Sequence, residues 1–216
     1  MAGLLSRVKV SELTKGIHEN IMINGVSIED RKGQNGPINK MIYIKFAQVN
    51  AEGKRSSESE LAWWKPDPTS DYFVTNLQEM SLQLHNILCA FMDEEAAFAA
   101  FDGVFESVGV TDVKEIESKK WKLSEVSKLN DAIKAAFKTA ITPFIGNKSA
   151  LMRVKLTTNY KGVGVEIPKY NTFVEPMTKE ESELKFTDNE LKTHAKAGNT
   201  EVKTGGAAST NTKATI

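Results

Sequence analysis

Apolar and polar residues alternate along residues 151–175 with a period of two. The first run places Arg153 and Lys155 opposite the apolar residues, as in a strand with one face in a core and the other in water. Small and polar residues at 158–162 indicate a turn, and a second alternating run stops at Pro168, which cannot donate to a ladder. We therefore predict a hairpin with a basic outer face that exposes Arg153 and Lys155.

A longer alternating segment covers residues 16–30. Its apolar parity changes at Asn24-Gly25, and a β-bulge produces such a change because one extra residue swaps the side chains that face the core. The pattern predicts a long, bent first strand. A polar loop with Arg31 and Lys32 follows it.

The next two strands are predicted at 41–49 and 57–64, joined by a polar turn. On the earlier of the two, the apolar residues take one face and leave Tyr43 and Lys45 on the other. These two side chains are therefore expected to point away from the core.

Beyond the third strand the hydrophobic period changes to three and four residues. This period predicts an amphipathic helix over about 71–92, a shorter helix capped by Asp93 and another helix over about 126–141. Residues 104–121 fit neither period clearly. The helices together form an insertion at about 70–146.

The predicted elements follow the order β-β-β-α-β-β. This order is the plan of the OB-fold, a five-stranded Greek-key barrel. The predicted fold class is therefore β-rich α+β, an OB-fold-like barrel with a large helical insertion between strands 3 and 4. An α+β domain with helices on one side of an antiparallel sheet is the alternative. We expect an N-terminal arm at 1–15, the barrel domain at 16–176, and a charged and then disordered tail at 177–216.

The charges are balanced overall but unevenly distributed. Lys plus Arg and Asp plus Glu both total 28, so the net charge indicates no polyanion partner. Residues 71–121 carry 3 basic and 10 acidic residues, whereas 122–176 carry 9 and 4. We predict a basic sheet and an acidic insertion. The insertion could repel DNA or dock a basic partner, although a solvated helical face is the more economical interpretation.

The single cysteine and the absence of long apolar runs indicate a cytoplasmic protein. Cys89 has no second cysteine with which to form an internal disulfide. No signal-peptide pattern occurs, and no segment approaches the roughly 20 apolar residues that span a bilayer. We expect a soluble protein with no membrane partner.

Catalytic motifs are absent from the sequence. It contains no phosphate-cradling glycine loop, no nucleophile elbow and no H-E-x-x-H. His18, His85 and His194 are too scattered for a metal site, and His85 is expected on the polar side of its helix. Glu29, Asp30, Asp67 and Asp71 could imitate the metal-binding carboxylates of a nuclease, but such a site needs a spacing that the sequence does not show. We expect no enzymatic activity, no metal and no cofactor.

Cations and aromatic residues accompany the predicted sheet. Single-strand binding requires cations that follow phosphates and exposed rings on which bases stack, each stack contributing about 1 to 3 kcal/mol. Trp63 and Trp64 are neighbours on a strand, so one should face the core and the other should face out, although both could pack under the insertion. The candidate nucleic-acid-binding residues are Arg31, Lys32, Tyr43, Lys45, Lys54, Arg55, Trp63, Trp64, Lys65, Arg153, Lys155, Tyr160, Lys161, Lys169 and Tyr170.

Three segments carry a family resemblance: GIHENI at 16–21, RVK at 153–155 and IPKYNTFVE at 167–175. Together they resemble the phage-encoded single-stranded DNA-binding proteins with an OB-fold. The resemblance implies a sequence-tolerant protein that coats single strands in DNA replication, recombination or repair, in the host cytoplasm if the chain is phage-encoded. It also implies an acidic C-terminal tail that recruits replication or recombination proteins. The chain departs there, because residues 210–216 contain no acidic residue.

Two functional hypotheses follow. In the first, the sheet and its loops bind single-stranded DNA, and the outward cations favour this hypothesis. In the second, the chain is a structural or assembly protein of a virus particle, and the same sheet contacts another protein. The absence of acidic residues from 210–216 favours the second hypothesis. The sequence predicts no oligomeric state.

Overall fold

A computed structural model describes residues 10–32, 38–63, 70–111, 113–158, 164–168 and 172–196. Within them the protein is a mixed α+β structure, in which an antiparallel, barrel-like sheet is combined with helices. The described strand order is β3-β2-β1-β4-β5, and β6 also pairs with β4. The strands are β1 Gly16–Lys32, β2 Ile38–Val49, β3 Arg55–Trp63, β4 Met152–Thr158, β5 Val165–Glu166 and β6 Val174–Pro176.

The long strand β1 bends the sheet into a barrel-like form. Its first part pairs with β4, from Gly16 opposite Leu156 onward, and its later part pairs with β2 as far as Lys32. The register against β2 shifts between Ile23 and Gly25, which confirms the predicted bulge. Because a bulge bends a strand and increases its local twist, β1 can pair with β4 along its first part and with β2 along its later part.

Helices fill the connection between β3 and β4, as the change of period predicts. The helix α2 begins as expected, with the Asp93 carboxylate accepting a hydrogen bond from the backbone N–H of Ala96 at 2.8 Å. Residues 104–121 form a single 3-10 turn and one short helix. The helices of the insertion are α1 Phe73–Cys89, α2 Glu94–Ala99, α3 Val113–Ser118 and α4 Leu123–Ile141.

The barrel interior and the helical insertion share one hydrophobic core. Inward residues of β1 and β2 meet the apolar stripes of α1 and α4, so the helices cover the barrel. Burial of each such side chain contributes about 1.5 to 3 kcal/mol. Fully buried examples are Ile21, Ile23, Ile42, Ile44, Phe46, Leu84, Ile133 and Phe137.

The amide of Gln83 on α1 joins the two sides of the barrel opening. Its Oε1 accepts from the indole N–H of Trp63 at 2.9 Å, and its Nε2 donates to the carbonyl of Pro168 at 3.2 Å. Trp63 ends β3, and Pro168 follows β5 closely. One side chain thus ties the edge of β3 to the chain that follows β5.

Both ends of the described chain pack against the sheet. Near the N-terminus, Ser11 bridges to Ser57 on β3, and Leu13 is buried. After β6 the chain returns over β4, where Leu184 is buried, and forms α5 Asp188–Lys196. Residues 197–216, for which we predict disorder, lie outside the described residues.

The sixth strand is an addition to the five predicted ones. The strand β6 has only three residues and ends at Pro176, so it has too few positions to display alternation. It pairs with β4 through Arg153 opposite Glu175. That pairing decides where the side chain of Arg153 lies.

Candidate nucleic-acid interface

A cleft of about 310 Å³ lies on the outer face of β1, β2 and β3. Tyr43 and Lys45, the two residues of β2 that were predicted to point outward, both line this cleft. Its walls combine an aromatic ring, an amide, a hydroxyl, one cation and two carboxylates. The lining residues are Asn24, Gly25, Val26, Ser27, Glu29, Tyr43, Lys45 and Glu60.

The bulge in β1 shapes this cleft. Gly25 is the register partner of Lys45, immediately after the shift. A Cβ atom added at Gly25 would lie 3.7 Å from Cδ of Lys45, which is ordinary van der Waals contact. A methyl group would therefore fit, whereas a larger side chain would fill the space above the stem of Lys45.

Lys45 points outward, as predicted. Its side chain is 47% exposed, and its Nζ lies 3.5 Å from Oε2 of Glu60 on β3. An exposed pair of this kind stabilises a protein by about 0 to 1 kcal/mol, because water screens the charges. The ammonium can therefore exchange Glu60 for another anion at low cost.

Tyr43 shares the outer parity of Lys45 but is nearly buried. It is 9% exposed, and its hydroxyl donates to Sδ of Met41 at 3.4 Å. Tyr43 forms part of the floor of the cleft. A base stacked flat on this ring would require the ring to become more exposed.

The face around the cleft is not basic in its described part. Glu58 and Glu60 on β3 lie opposite Ala47 and Lys45, on the outer parity. Glu58 accepts from Nδ2 of Asn24 at 2.6 Å and pairs with Nη1 of Arg55 at 3.3 Å. Carboxylates thus occupy this face beside its cations, contrary to the predicted basic sheet.

Arg153 does not lie exposed, and the prediction of its placement was wrong. It is 7% exposed and bound by two carboxylates. Its Nε donates to Oε1 of Glu19 at 3.0 Å, and its Nη1 lies 3.3 Å from Oε1 of Glu175 and donates to the carbonyl of Lys179 at 2.8 Å. The guanidinium binds the strand β6 and the chain that follows it.

Lys155 is also buried, at 1% exposure, so its predicted exposure was wrong too. Its ammonium donates to the carbonyl of Lys185 at 2.9 Å and pairs with Glu190 at 3.2 Å. The ring of Phe186 lies 5.7 Å from the same nitrogen. Alternation identifies the two faces of a strand, but it does not reveal that a later segment covers one of them.

Trp63 is not a stacking platform. It is 6% exposed, lies in the core 6.4 Å from Phe46 between ring centroids, and donates its indole N–H to Gln83. The expectation that one of the two adjacent tryptophans faces the core is confirmed for Trp63. Trp64 lies outside the described residues.

The remaining candidates divide into three groups. Lys54 and Arg55 are exposed at the turn between β2 and β3. Arg31 and Lys32 belong to β1 and pair with Asn39 and Ile38, so the predicted loop starts later, and their side chains are not described. The other candidates lie outside the described residues: Lys65, Tyr160, Lys161, Lys169 and Tyr170.

Sequence reasoning missed the acidic wall of the cleft. The signal was partial, because the turn between β2 and β3 was predicted but the shift of register beside it was not. The pairing shifts between Gln48 and Val49, so counting back from Val49 and Arg55 would place Ser59, and not the observed Glu60, opposite Lys45.

Comparison with protein-family models, curated proteins and solved structures finds no match. None of the described helices combines the length and the apolarity that crossing a membrane requires. Among the same residues, no three His, Cys, Asp or Glu side chains meet in a group that could hold a metal ion.

Proposed function

We propose that the protein binds single-stranded DNA with little sequence preference, through an OB-fold-like barrel and without enzymatic activity. The strand order carries this proposal: β1 lies between β2 and β4, β5 follows on β4, and the helices lie between β3 and β4. An OB-fold uses the face of its second and third strands, with the loops after strands 1 and 4, to bind oligonucleotides. The cleft lies on the corresponding face of this chain.

The sequence supplies further cations and aromatic residues in the segments that correspond to the binding loops of an OB-fold. Arg31 and Lys32 end β1. The chain between β4 and β5 contains Tyr160 and Lys161. In the proposal these residues bind phosphates along the strand, and Lys45 binds a phosphate on the face of the sheet.

Lys45 would bind a phosphate by exchanging its partner. A phosphate that replaces Glu60 keeps the ammonium paired and releases counterions from the strand, so affinity should fall with salt. The carboxylates of Glu29, Glu58 and Glu60 oppose the approach of a polyanion. The affinity per nucleotide should therefore be modest, and the complex should depend on several contacts along the strand.

The same carboxylates favour a second candidate function. A face that mixes Lys45 with Glu29, Glu58 and Glu60 is also suited to another protein. In that case the chain is a structural or assembly protein of a virus particle. It would bind its protein partner through this face and would not bind DNA.

Fluorescence anisotropy of labelled oligo-dT distinguishes the two functions. The full chain is titrated into the oligonucleotide at low and at high salt, as wild type, as Lys45→Glu and as the control Lys138→Glu. Lys138 is exposed on α4 and gives the same change of net charge. We expect saturable binding that Lys45→Glu weakens at least tenfold and Lys138→Glu weakens less than threefold.

The salt dependence gives a second criterion. Loss of one phosphate contact should reduce the slope of log affinity against log salt by about 0.7. Absence of oligo-dT binding by the folded wild type at low salt would reject the proposal and favour the structural function. Equal weakening of oligo-dT binding by the two variants would show that the cleft is not part of the DNA interface.

A further inference from the structure

Leu82 on α1 and Phe98 on α2 are both 59% exposed. They belong to one surface, because the ring of Phe98 lies 4.1 Å from the ring of His85, which is one helical turn from Leu82. His85 is itself buried, at 8% exposure, and not on the polar side of its helix as predicted. Phe98 therefore covers His85 and extends the apolar surface of Leu82 across both helices.

This surface continues into a groove beside Cys89. The thiol lies 3.6 Å from the imidazole of His85 and lines two neighbouring cavities, of about 270 and 520 Å³. The larger cavity has mostly apolar walls, in which the rings of Phe91 and Phe144 stack 5.2 Å apart. We call the set of Leu82, His85, Cys89 and Phe98, with Glu94 and Glu95, the α1–α2 surface.

The charged residues of α1, of α2 and of the chain around them are acidic. Residues 70–111 contain seven acidic residues and no Lys or Arg. Glu94 and Glu95 lie four and three residues before Phe98, so the helix places both exposed carboxylates beside the ring. Lys179, which lines the smaller cavity, is paired with Glu183 at 2.6 Å. The apolar residues are therefore bordered by carboxylates.

We propose that the α1–α2 surface docks a cationic, amphipathic segment of another protein. An apolar side chain of that segment packs on Leu82 and Phe98, and its lysines or arginines pair with Glu94 and Glu95. The inference is independent of DNA binding, because it uses neither the cleft nor any of its residues.

Charge disfavours the competing occupants. A nucleic acid or an anionic lipid surface would bring negative charge to the same carboxylates. A second copy, paired around a two-fold axis, would bring Glu94 and Glu95 of both copies together. A cationic protein segment satisfies the apolar and the acidic residues at the same time.

The test uses a labelled amphipathic peptide of about 20 residues made of Leu and Lys, titrated with the full chain and followed by anisotropy. The same peptide with Glu in place of Lys is the charge control. Leu82→Gln with Phe98→Gln removes the apolar contacts, and Glu94→Gln with Glu95→Gln removes the charges. The matched controls are Leu191→Gln, also an exposed leucine, and Glu12→Gln with Glu52→Gln, which removes two exposed carboxylates elsewhere.

We expect saturable binding of the basic peptide, weakened at least tenfold by each of the first two variants and less than twofold by the controls. The bound peptide should also slow alkylation of Cys89, the only cysteine, at least threefold. Any one of three results would overturn the proposal: no binding of the basic peptide, equal binding of the acidic peptide, or equal effects of site and control variants. Sedimentation of the chain without peptide could give a fourth such result. A dimer that is lost in the variant Leu82→Gln with Phe98→Gln would show that the surface mediates self-association.

Discussion

Lys155 and Glu190 form an ion pair at 3.2 Å between the strand β4 and the helix α5. The lysine side chain is 1% exposed and that of Glu190 12% exposed. Glu190 also accepts from the backbone N–H of Thr187 at 2.7 Å, while the Thr187 hydroxyl accepts from the N–H of Glu190 at 3.3 Å. This reciprocal capping box begins α5, so one carboxylate both starts the helix and neutralises the buried ammonium.

Replacement of Glu190 by Gln should destabilise the protein strongly. Gln keeps the size of the side chain but leaves the buried ammonium without its counter-charge, which costs about 3 to 5 kcal/mol in comparable pairs. Urea denaturation of Glu190→Gln and of Lys155→Met measures the effect. Met removes the charge that needs a partner, so we expect a smaller loss from Lys155→Met. A loss below 1 kcal/mol for Glu190→Gln would show that the pair contributes little.

The same pair shows how far the sequence predicts the fold. The alternation over 152–156 predicted the strand β4 and its two faces, and the parity change at Gly25 predicted the bulge in β1. Both are local patterns that a strand must display when it is partly buried. The cover over β4 is different, because it is made by residues 22 to 35 positions later, with no period of their own.

The candidate site was predicted in part for the same reason. Lys45 was placed correctly, because its own strand determines its direction. The sequence left undecided which face of β3 the side chain of Trp63 takes. In the structure it faces the core, where it contacts α1. The acidic side of the cleft depends on the register between β2 and β3. A search for cations alone could not reveal these carboxylates. Long-range pairing therefore limited the prediction more than local structure did.

Replacement of Glu60 by Gln should strengthen binding of oligo-dT. The change removes the partner that competes with a phosphate for Lys45 and lowers the negative charge of the cleft. We expect a twofold to tenfold rise in affinity at low salt, measured by anisotropy, and no change in the urea midpoint. Glu52→Gln, an exposed carboxylate in the turn between β2 and β3, is the control. Weaker binding by Glu60→Gln would mean that the carboxylate itself contacts the strand.

Replacement of Gln83 by Leu should destabilise the barrel opening. The change removes the hydrogen bonds of the amide to Trp63 and Pro168 and leaves the indole N–H of Trp63 unpaired in a buried position, at a cost of about 1 to 3 kcal/mol. Gln78→Leu is the matched control, because Gln78 is exposed on the same helix. Hydrogen exchange should show faster opening of β3 in Gln83→Leu. Equal stability of the two variants would show that the amide does not hold the edges together.

Cys89 should react slowly with alkylating agents near neutral pH. Partial burial raises the pKa of the Cys89 thiol above its ordinary value of 9.0, and the carboxylate of Glu94 raises it further. The reactive thiolate is therefore scarce below pH 9, and the rate should keep rising as the pH increases beyond 9. Glu94→Gln removes one cause of the raised pKa and should accelerate the reaction of Cys89 with iodoacetamide at pH 8. Glu52→Gln, whose carboxylate lies in the turn between β2 and β3, should leave the rate unchanged. A rate profile that levels off below pH 9 would show that the thiol ionises more easily than its surroundings imply.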